Sequence, residues 1–309
     1  MAPYTLPSNA VWFVTGCSTG IGYALCEYLT TNTTSRVVAT ARNPTALNSL
    51  PTGPNITKLA LDVTSDVSIQ AALAVILEKY GRIDVVVNNA GFGIRGDTET
   101  TELSHARAVM DANFWGAARI TQLVLPILRE QNPKTGAIGG LIIQVTSMGG
   151  RVAFPANTFY HASKFALEGF TEGLSKEVSP DWNIRFLCVE PGGVKTNYVE
   201  TSTPKFDGKE RHPAYTDPNL PTNLLFKYLG APEAMANFAE PGKLAEVLVK
   251  YVEEGGEMPL RLPLGMDAWG SLMEGAEANL KDLEKVKEVA VSISDRGEEQ
   301  LKSIKFLKR

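Results

Sequence analysis

Short, wholly apolar runs alternate along this chain with longer stretches in which apolar positions recur at helical spacing. Val11–Val14 is a bare hydrophobic run, and Ile21–Leu29 follows with Ala24, Leu25 and Leu29 on one side of a helix. Arg36–Thr40 is the next run, then Ile56–Leu61, which ends at Asp62. Val67–Tyr80 reads as a helix stopped near Gly81, and Ile83–Val87 as a strand stopped at Asn88. The pattern predicts a long helix over Leu103–Leu128, a strand over Leu141–Val145, a helix over Tyr160–Val178 and a strand over Ile184–Val189. Strands without polar alternation, joined by helices, predict an α/β fold with helices on both faces of a parallel sheet.

The regularity breaks near Lys195. Residues 195–230 hold Pro204, Pro213, Pro218 and Pro221 among scattered charges and aromatics. An ordered connection of this length usually has a function, and it reads as a substrate-binding lid with some short helix. Pro232–Gly255 reads as one further helix despite Pro241, and Leu260–Leu264 as a last strand at a sheet edge, where its proline costs least. In the charge-rich tail, Leu280, Leu283, Val286 and Ala290 predict one amphipathic helix, placed over the core or against a partner subunit. Residues 1–265 are thus expected to form one catalytic domain, and residues 266–309 a C-terminal helical extension.

Composition narrows the function classes. The chain has 309 residues, 30 basic and 34 acidic, for a net charge of -4. That balance gives no basic stripe for nucleic acid. No apolar run reaches the roughly 18 residues that span a bilayer. The start of the chain lacks a secretory signal, and 3 cysteines make no disulfide framework. A cytoplasmic protein is expected, and with only 3 histidines no metal site is.

The chemistry begins in the turn after the first strand. Thr15-Gly16-Cys17-Ser18-Thr19-Gly20-Ile21-Gly22 joins strand to helix. Glycines permit a tight turn and close approach of a ligand, and the helix N-terminus offers unpaired N–H groups to a pyrophosphate. The second strand ends in Thr40-Ala41-Arg42-Asn43, without the acid that usually meets the ribose hydroxyls of NAD. Arg42 can pair with a 2′-phosphate, and Thr19 can add a hydroxyl, so NADP is the expected cofactor. Asp62 can accept from an adenine amino group or cap the next helix. Asn88-Asn89-Ala90-Gly91 either makes a turn only or brings backbone beside a ribose.

Ser147, Tyr160 and Lys164 form a second constellation. Tyr160 and Lys164 lie at i, i+4, on one helix face. A nearby ammonium favours the phenolate, so the tyrosine can exchange a proton with a substrate oxygen near neutral pH. Ser147 would donate to the same oxygen. Asn113 lies inside a predicted helix, where asparagine is a poor fit. A kink, or a water on its backbone carbonyl that links Lys164 to solvent, would account for it; an exposed polar side chain is the plain alternative. His161 neighbours Tyr160 but points about 100° around the helix and is not read as a base.

Taken together, TGCSTGIG at 15–22, LDVT at 61–64, NNAG at 88–91, Asn113, Ser147, YHASK at 160–164 and PGGVKT at 191–196 resemble the short-chain dehydrogenase/reductase family, in family order. The resemblance covers residues 8 to 265. It implies a Rossmann-type doubly wound, seven-stranded parallel sheet, with Ser147, Tyr160 and Lys164 as catalytic triad and Asn113 completing a tetrad. It further implies cofactor contacts from Gly16, Ser18, Thr19, Gly20, Ile21 and Gly22. Arg42, Asp62, Val63, Asn89, Ala90, Gly91, Tyr160, Lys164, Pro191, Gly192, Val194 and Thr196 join them. Asp62 would meet adenine, Asn89 would lie beside the adenosine ribose, and Pro191–Thr196 would flank the nicotinamide. The second-strand end looks like NADP-preferring members similar to 17β-hydroxysteroid dehydrogenase type 1, and the chain as a whole resembles fungal secondary-metabolite reductases. A homodimer or homotetramer is a family expectation.

Phe92, Met148, Phe154 and Tyr198 flank the reactive residues and are expected to line an apolar substrate cleft. The leading expectation is NADPH-dependent interconversion of a ketone or aldehyde and an alcohol on an apolar small molecule. The alternatives are a cofactor-bound non-redox step (isomerisation, dehydration or cyclisation) and a non-catalytic dinucleotide sensor.

Overall fold

The computed structural model describes residues 3–198, 202, 211–294 and 296–305. Residues 199–201 and 203–210 of the expected lid, and the last four residues of the tail, lie outside the described residues. One sheet holds β1 (Val11–Val14), β2 (Arg36–Ala41), β3 (Ile56–Ala60), β4 (Val85–Asn88), β5 (Gly140–Val145), β6 (Ile184–Pro191) and β7 (Arg261–Leu264). Its 7 strands run in the order β3-β2-β1-β4-β5-β6-β7, and every pairing is parallel. The chain therefore winds outward from β1 in one direction and from β4 in the other. That reversal leaves a crevice beyond the carboxyl ends of β1 and β4, where such sheets bind ligands.

Strand alternation divides the core into two layers. Trp12, Val14, Val85, Val87, Leu141 and Ile143 face α1 (Gly20–Asn32) and the later helix Pro241–Glu254, meeting Leu25, Leu29, Leu248 and Val252. Val11, Phe13, Val86 and Ile142 face the other way, onto Ile69, Leu73 and Ile76 of α2 (Asp66–Tyr80) and onto Ile120 and Val124. A strand buried on both faces has no reason to alternate polar and apolar residues, and these do not. The outermost strands β3 and β7 are less buried, and Pro263 falls on β7, paired through β6 alone.

Three expectations change. The long helix over Leu103–Leu128 is α3 (Leu103–Met110) and α4 (Ala117–Pro126), joined by a wider π turn, Asp111–Gly116, and followed by a second one, Ile127–Gln131. The single helix expected over Pro232–Gly255 is two. After α5 (Thr158–Glu177) and α6 (Pro221–Gly230), the chain forms α7 (Pro232–Ala236) and then α8 (Pro241–Glu254). Between them Ala239 pairs with the segment after β6: its N–H donates to Gly193 O at 2.9 Å and its carbonyl accepts from Lys195 N at 2.9 Å. Pro241 starts α8 because proline suits a first helical turn but not an interior.

The third change is in the tail. Its main helix, α9 (Met266–Val291), begins directly after β7, and α10 (Gly297–Ser303) follows. Only its first turns pack on the sheet layers, through Ala268 and Leu272. Leu280, Leu283 and Val286 are exposed, so this stripe does not cover the core of its own chain.

Candidate active site

The turn after β1 needs its glycines for two physical reasons. Gly16 and Gly20 have φ of 70° and 62°, in the left-handed region. Space is the second: a Cβ on Gly16 would lie 2.7 Å from Ala90 Cα, and one on Gly22 would lie 2.5 Å from Gly16 O. The first turn of α1 carries no acidic residue, and Thr19 at its N-cap makes no side-chain capping bond. The first amides of α1 therefore have no anionic or capping partner from the helix itself. Ser18, Thr19 and Ile21 reach solvent around this turn, while Cys17 is fully buried beneath it.

Asn89 ties the two central strands together. Its Nδ2 donates to Thr15 O at 2.8 Å and Gly16 O at 3.1 Å. Thr15 Oγ1 accepts from the amides of Asn89 and Ala90, both at 3.0 Å. Glycine turn and Asn-Asn-Ala-Gly segment are thus one unit across the crevice. Arg42 is exposed just past β2. Asp62 accepts from Thr64 Oγ1 at 2.7 Å and Thr64 N at 2.9 Å. Those bonds, and after them the Arg42 charge, hold its carboxyl below the usual range. The capping alternative for Asp62 falls, because Ser65 caps α2 by accepting from Ser68 N. The Val63 carbonyl lies against Gly116, which has no room for a Cβ.

Beyond β5 and along α5, Ser147, Tyr160 and Lys164 come together. Ser147 is near enough to Tyr160 for its side chain to favour the phenolate, and Ser147 Oγ accepts from Gly149 N at 3.0 Å. Lys164 Nζ donates to Val145 O at 2.8 Å and stands 5.7 Å from the Tyr160 ring centre. The expected dominance of the ammonium over the phenol is not found. Burial raises the proton affinity of Tyr160, and the nearby Ser147 side chain lowers it. Lys164 lies over the ring face, and its ammonium donates a hydrogen bond to the Val145 carbonyl. Burial also lowers Lys164 itself to about 8, opposed by the charge of Glu168.

Asn113 is buried, not exposed, and lies in the π turn between α3 and α4. Its amide pairs with the backbone of Phe92, accepting from N at 2.9 Å and donating to O at 2.9 Å. It also donates to Ser163 Oγ at 3.0 Å, one residue before Lys164. A Cβ on Gly91 would lie 2.8 Å from Asn113 Oδ1 and 3.7 Å from Lys164 Nζ. The local widening of the helix aims Asn113 at the loop after β4.

The Pro191–Thr196 segment closes the crevice from β6. Thr196 faces the glycine turn, 3.1 Å from where a Gly20 Cβ would be. Gly192 N donates to Leu264 O at 3.0 Å, and Val194 bridges to Ala239. Among the expected substrate residues, the Tyr198 ring lies tilted 5.3 Å from that of Tyr160. Phe154 lies 5.7 Å from His161, Met148 directly follows Ser147, and Phe92 is exposed at the rim.

Residues 10–206 match the family model described as short chain dehydrogenase. The chain belongs to the short-chain dehydrogenase family. This dehydrogenase is 40% identical over 293 residues to oxidoreductase calM of Penicillium decumbens, covering 93% of this chain and 94% of calM. Retinol dehydrogenase 8 of Bos taurus is 35% identical over 254 residues, covering 77% of this chain and 76% of that one. The solved short-chain dehydrogenase from Streptomyces avermitilis superposes with a TM-score of 0.79 at 31% identity, over 93% of this chain and 99% of that one. Membership assigns the dehydrogenase an oxidoreductase role. Among the described residues no helix is long and apolar enough to cross a membrane.

Several residues that shape the dehydrogenase's site gave no sequence signal. Arg211 grips Asp97 with two bonds of 2.6 Å and donates to Asn223 Oδ1 at 2.6 Å, tying the insertion to the loop before α3. Asp267, in the first turn of α9, accepts from Gly193 N at 2.6 Å. Neither pair is close in sequence, so spacing carries no trace of it. Thr15 could have been noticed, since it opens the quoted glycine motif.

Proposed function

We propose that this protein is an NADP(H)-dependent oxidoreductase that interconverts a ketone or aldehyde and an alcohol on a mostly apolar small molecule. The observation that carries this reading is the meeting of Ser147, Tyr160, Lys164 and Asn113 beyond the carboxyl ends of β4 and β5, on the same side of the sheet as the glycine turn after β1. The dinucleotide fit rests on the chain's own chemistry. Gly16, Gly20 and Gly22 leave a cradle that any Cβ would fill or strain, and the α1 N-terminus has no acid to repel a pyrophosphate. Exposed Arg42 suits a 2′-phosphate, and exposed Thr19 in the glycine turn would add a hydroxyl. Asp62 and Val63 would meet the adenine, Asn89, Ala90 and Gly91 its ribose, and Pro191, Gly192, Val194 and Thr196 the nicotinamide end. Ser18 and Ile21 would complete the turn.

When bound, the nicotinamide supplies or takes the hydride. The protein's part is the proton. Ser147 donates to the substrate oxygen and fixes its direction. Tyr160, kept protonated by burial, gives its proton to that oxygen as the alcohol forms. Lys164 then returns a proton toward the phenolate side, and Asn113 holds the Phe92 loop that closes over it. Tyr198, Phe154, Met148 and Phe92 offer apolar surface to the substrate. Residues 1–265 act as the catalytic unit, with Tyr198 on the substrate side of Tyr160.

The test is NADPH consumption with a panel of aromatic, alicyclic and polyketide-like ketones. Tyr160→Phe should lose about a thousandfold or more in kcat while still binding NADPH. Full activity in that variant would sink the mechanism.

A further inference from the structure

His161 follows the reactive tyrosine, yet nothing above uses it. It is 5% exposed, and both ring nitrogens are engaged. Nδ1 is 2.8 Å from Gly149 O, and Nε2 lies 3.1 Å from Phe154 N. A backbone amide can only donate and a carbonyl can only accept. The proton is therefore on Nδ1, and the lone pair of Nε2 receives the Phe154 N–H. Gly149 leaves no space between its backbone and this ring, since a Cβ there would overlap Nδ1.

The two bonds close a specific loop. Gly149 N donates to Ser147 Oγ at 3.0 Å, and Gly150 N donates to Ser147 O at 2.8 Å. Phe154 is where the same segment turns toward α5. One imidazole on α5 thus holds the segment that carries Ser147 at two points, and its ring lies 5.7 Å from that of Tyr160. A misplacement of about 1 Å between such groups costs on the order of a hundredfold in rate.

We propose that His161 is a positioning residue: as a neutral Nδ1–H imidazole it sets the Ser147–Tyr160 register by clamping the Gly149 carbonyl and the Phe154 amide. This rests on the reductase reading above. The groups that face the ring are those two backbone groups and the rings of Tyr160 and Phe154. Burial holds the imidazole below its usual proton affinity. Protonation at Nε2 would remove the acceptor for Phe154.

The experiment compares His161→Phe with His161→Gln in the NADPH-loaded enzyme, alone and combined with Ser147→Ala, on the best-reduced ketone of the panel. His161→Phe should lower kcat about ten- to a hundredfold, with NADPH affinity within about twofold. His161→Gln, which keeps a donor and an acceptor, should recover most of that loss and lack the wild type's acid-side fall in rate, since its side chain does not titrate. In the Ser147→Ala background, His161→Phe should change the rate by less than about twofold. Ser147→Ala at full rate, or no ketone reduced, defeats the reductase reading. A slow Ser147→Ala that His161→Phe slows again by its full factor defeats the clamp alone. If His161→Phe does not fold, an unchanged acid limb in His161→Gln overturns it as well.

Discussion

Lys164→Met tests whether burial of the ammonium is a stability cost borne for function. Burial lowers Lys164 from 10.5 to about 8, and at about 1.4 kcal/mol per unit this is a penalty on the order of 3 kcal/mol at neutral pH. Methionine removes the charge but leaves Val145 O without its donor, which costs about 1 kcal/mol. The net expectation is about 2 kcal/mol of added stability at pH 7, or several degrees in Tm for a chain of this size. The direction with pH follows from linkage. Between about 8 and 10.5 the unfolded lysine holds more proton than the folded one, so wild-type stability gains on the variant as pH rises through that window. Below about 8 the penalty is present in full. Thermal denaturation of both proteins from pH 7 to 10 checks this, with ketone reduction measured alongside. A Lys164→Met variant that is less stable at pH 7, or a difference that stays flat to pH 10, would refute the reasoning.

Other outcomes are equally direct. Arg42→Ala should weaken NADPH binding by about ten- to a hundredfold and leave NADH nearly unchanged, read by cofactor fluorescence titration. Arg211→Ala leaves the buried Asp97 carboxylate without its fork, at a cost of about 3 kcal/mol. It should raise KM more than it lowers kcat and speed proteolytic cleavage after residue 211, whereas in an Asp97→Asn background it should do much less. Cys17, Cys26 and Cys188 are all buried, so a thiol reagent should titrate none of them until the protein unfolds.

The sheet was legible because its strands are buried on both faces and their apolar runs are unbroken. Strand β7 was readable from Leu260–Leu264 even with Pro263, since an edge tolerates proline. The helix boundaries were less so. Nothing in the periodicity of Leu103–Leu128 distinguishes a π turn from an α turn, and the pairing of Asn113 in that turn with Phe92 is made across space. The break at Ala239 has the same origin, a backbone pairing with Gly193 and Lys195. In the site, Ser147, Tyr160 and Lys164 could be singled out by type and order. Their protonation could not, because burial decides it and a sequence does not state depth. His161 was set aside on helical angle alone, although the same angle points it at the loop that holds Ser147.

The C-terminal helix places its two halves under different rules. Asp267 receives the Gly193 amide, and its carboxylate fills the space a Gly192 side chain would need. Ala268 and Leu272 then bury the next turns. Past Gly275 every residue of the helix is exposed. Substitutions, tags or fused domains placed along that outer half leave the wall of the crevice untouched. A change at Asp267 does not, although both lie on one continuous rod. The length and composition of the outer half can therefore change without touching the crevice, provided the helix still begins with a residue that can hold Gly193.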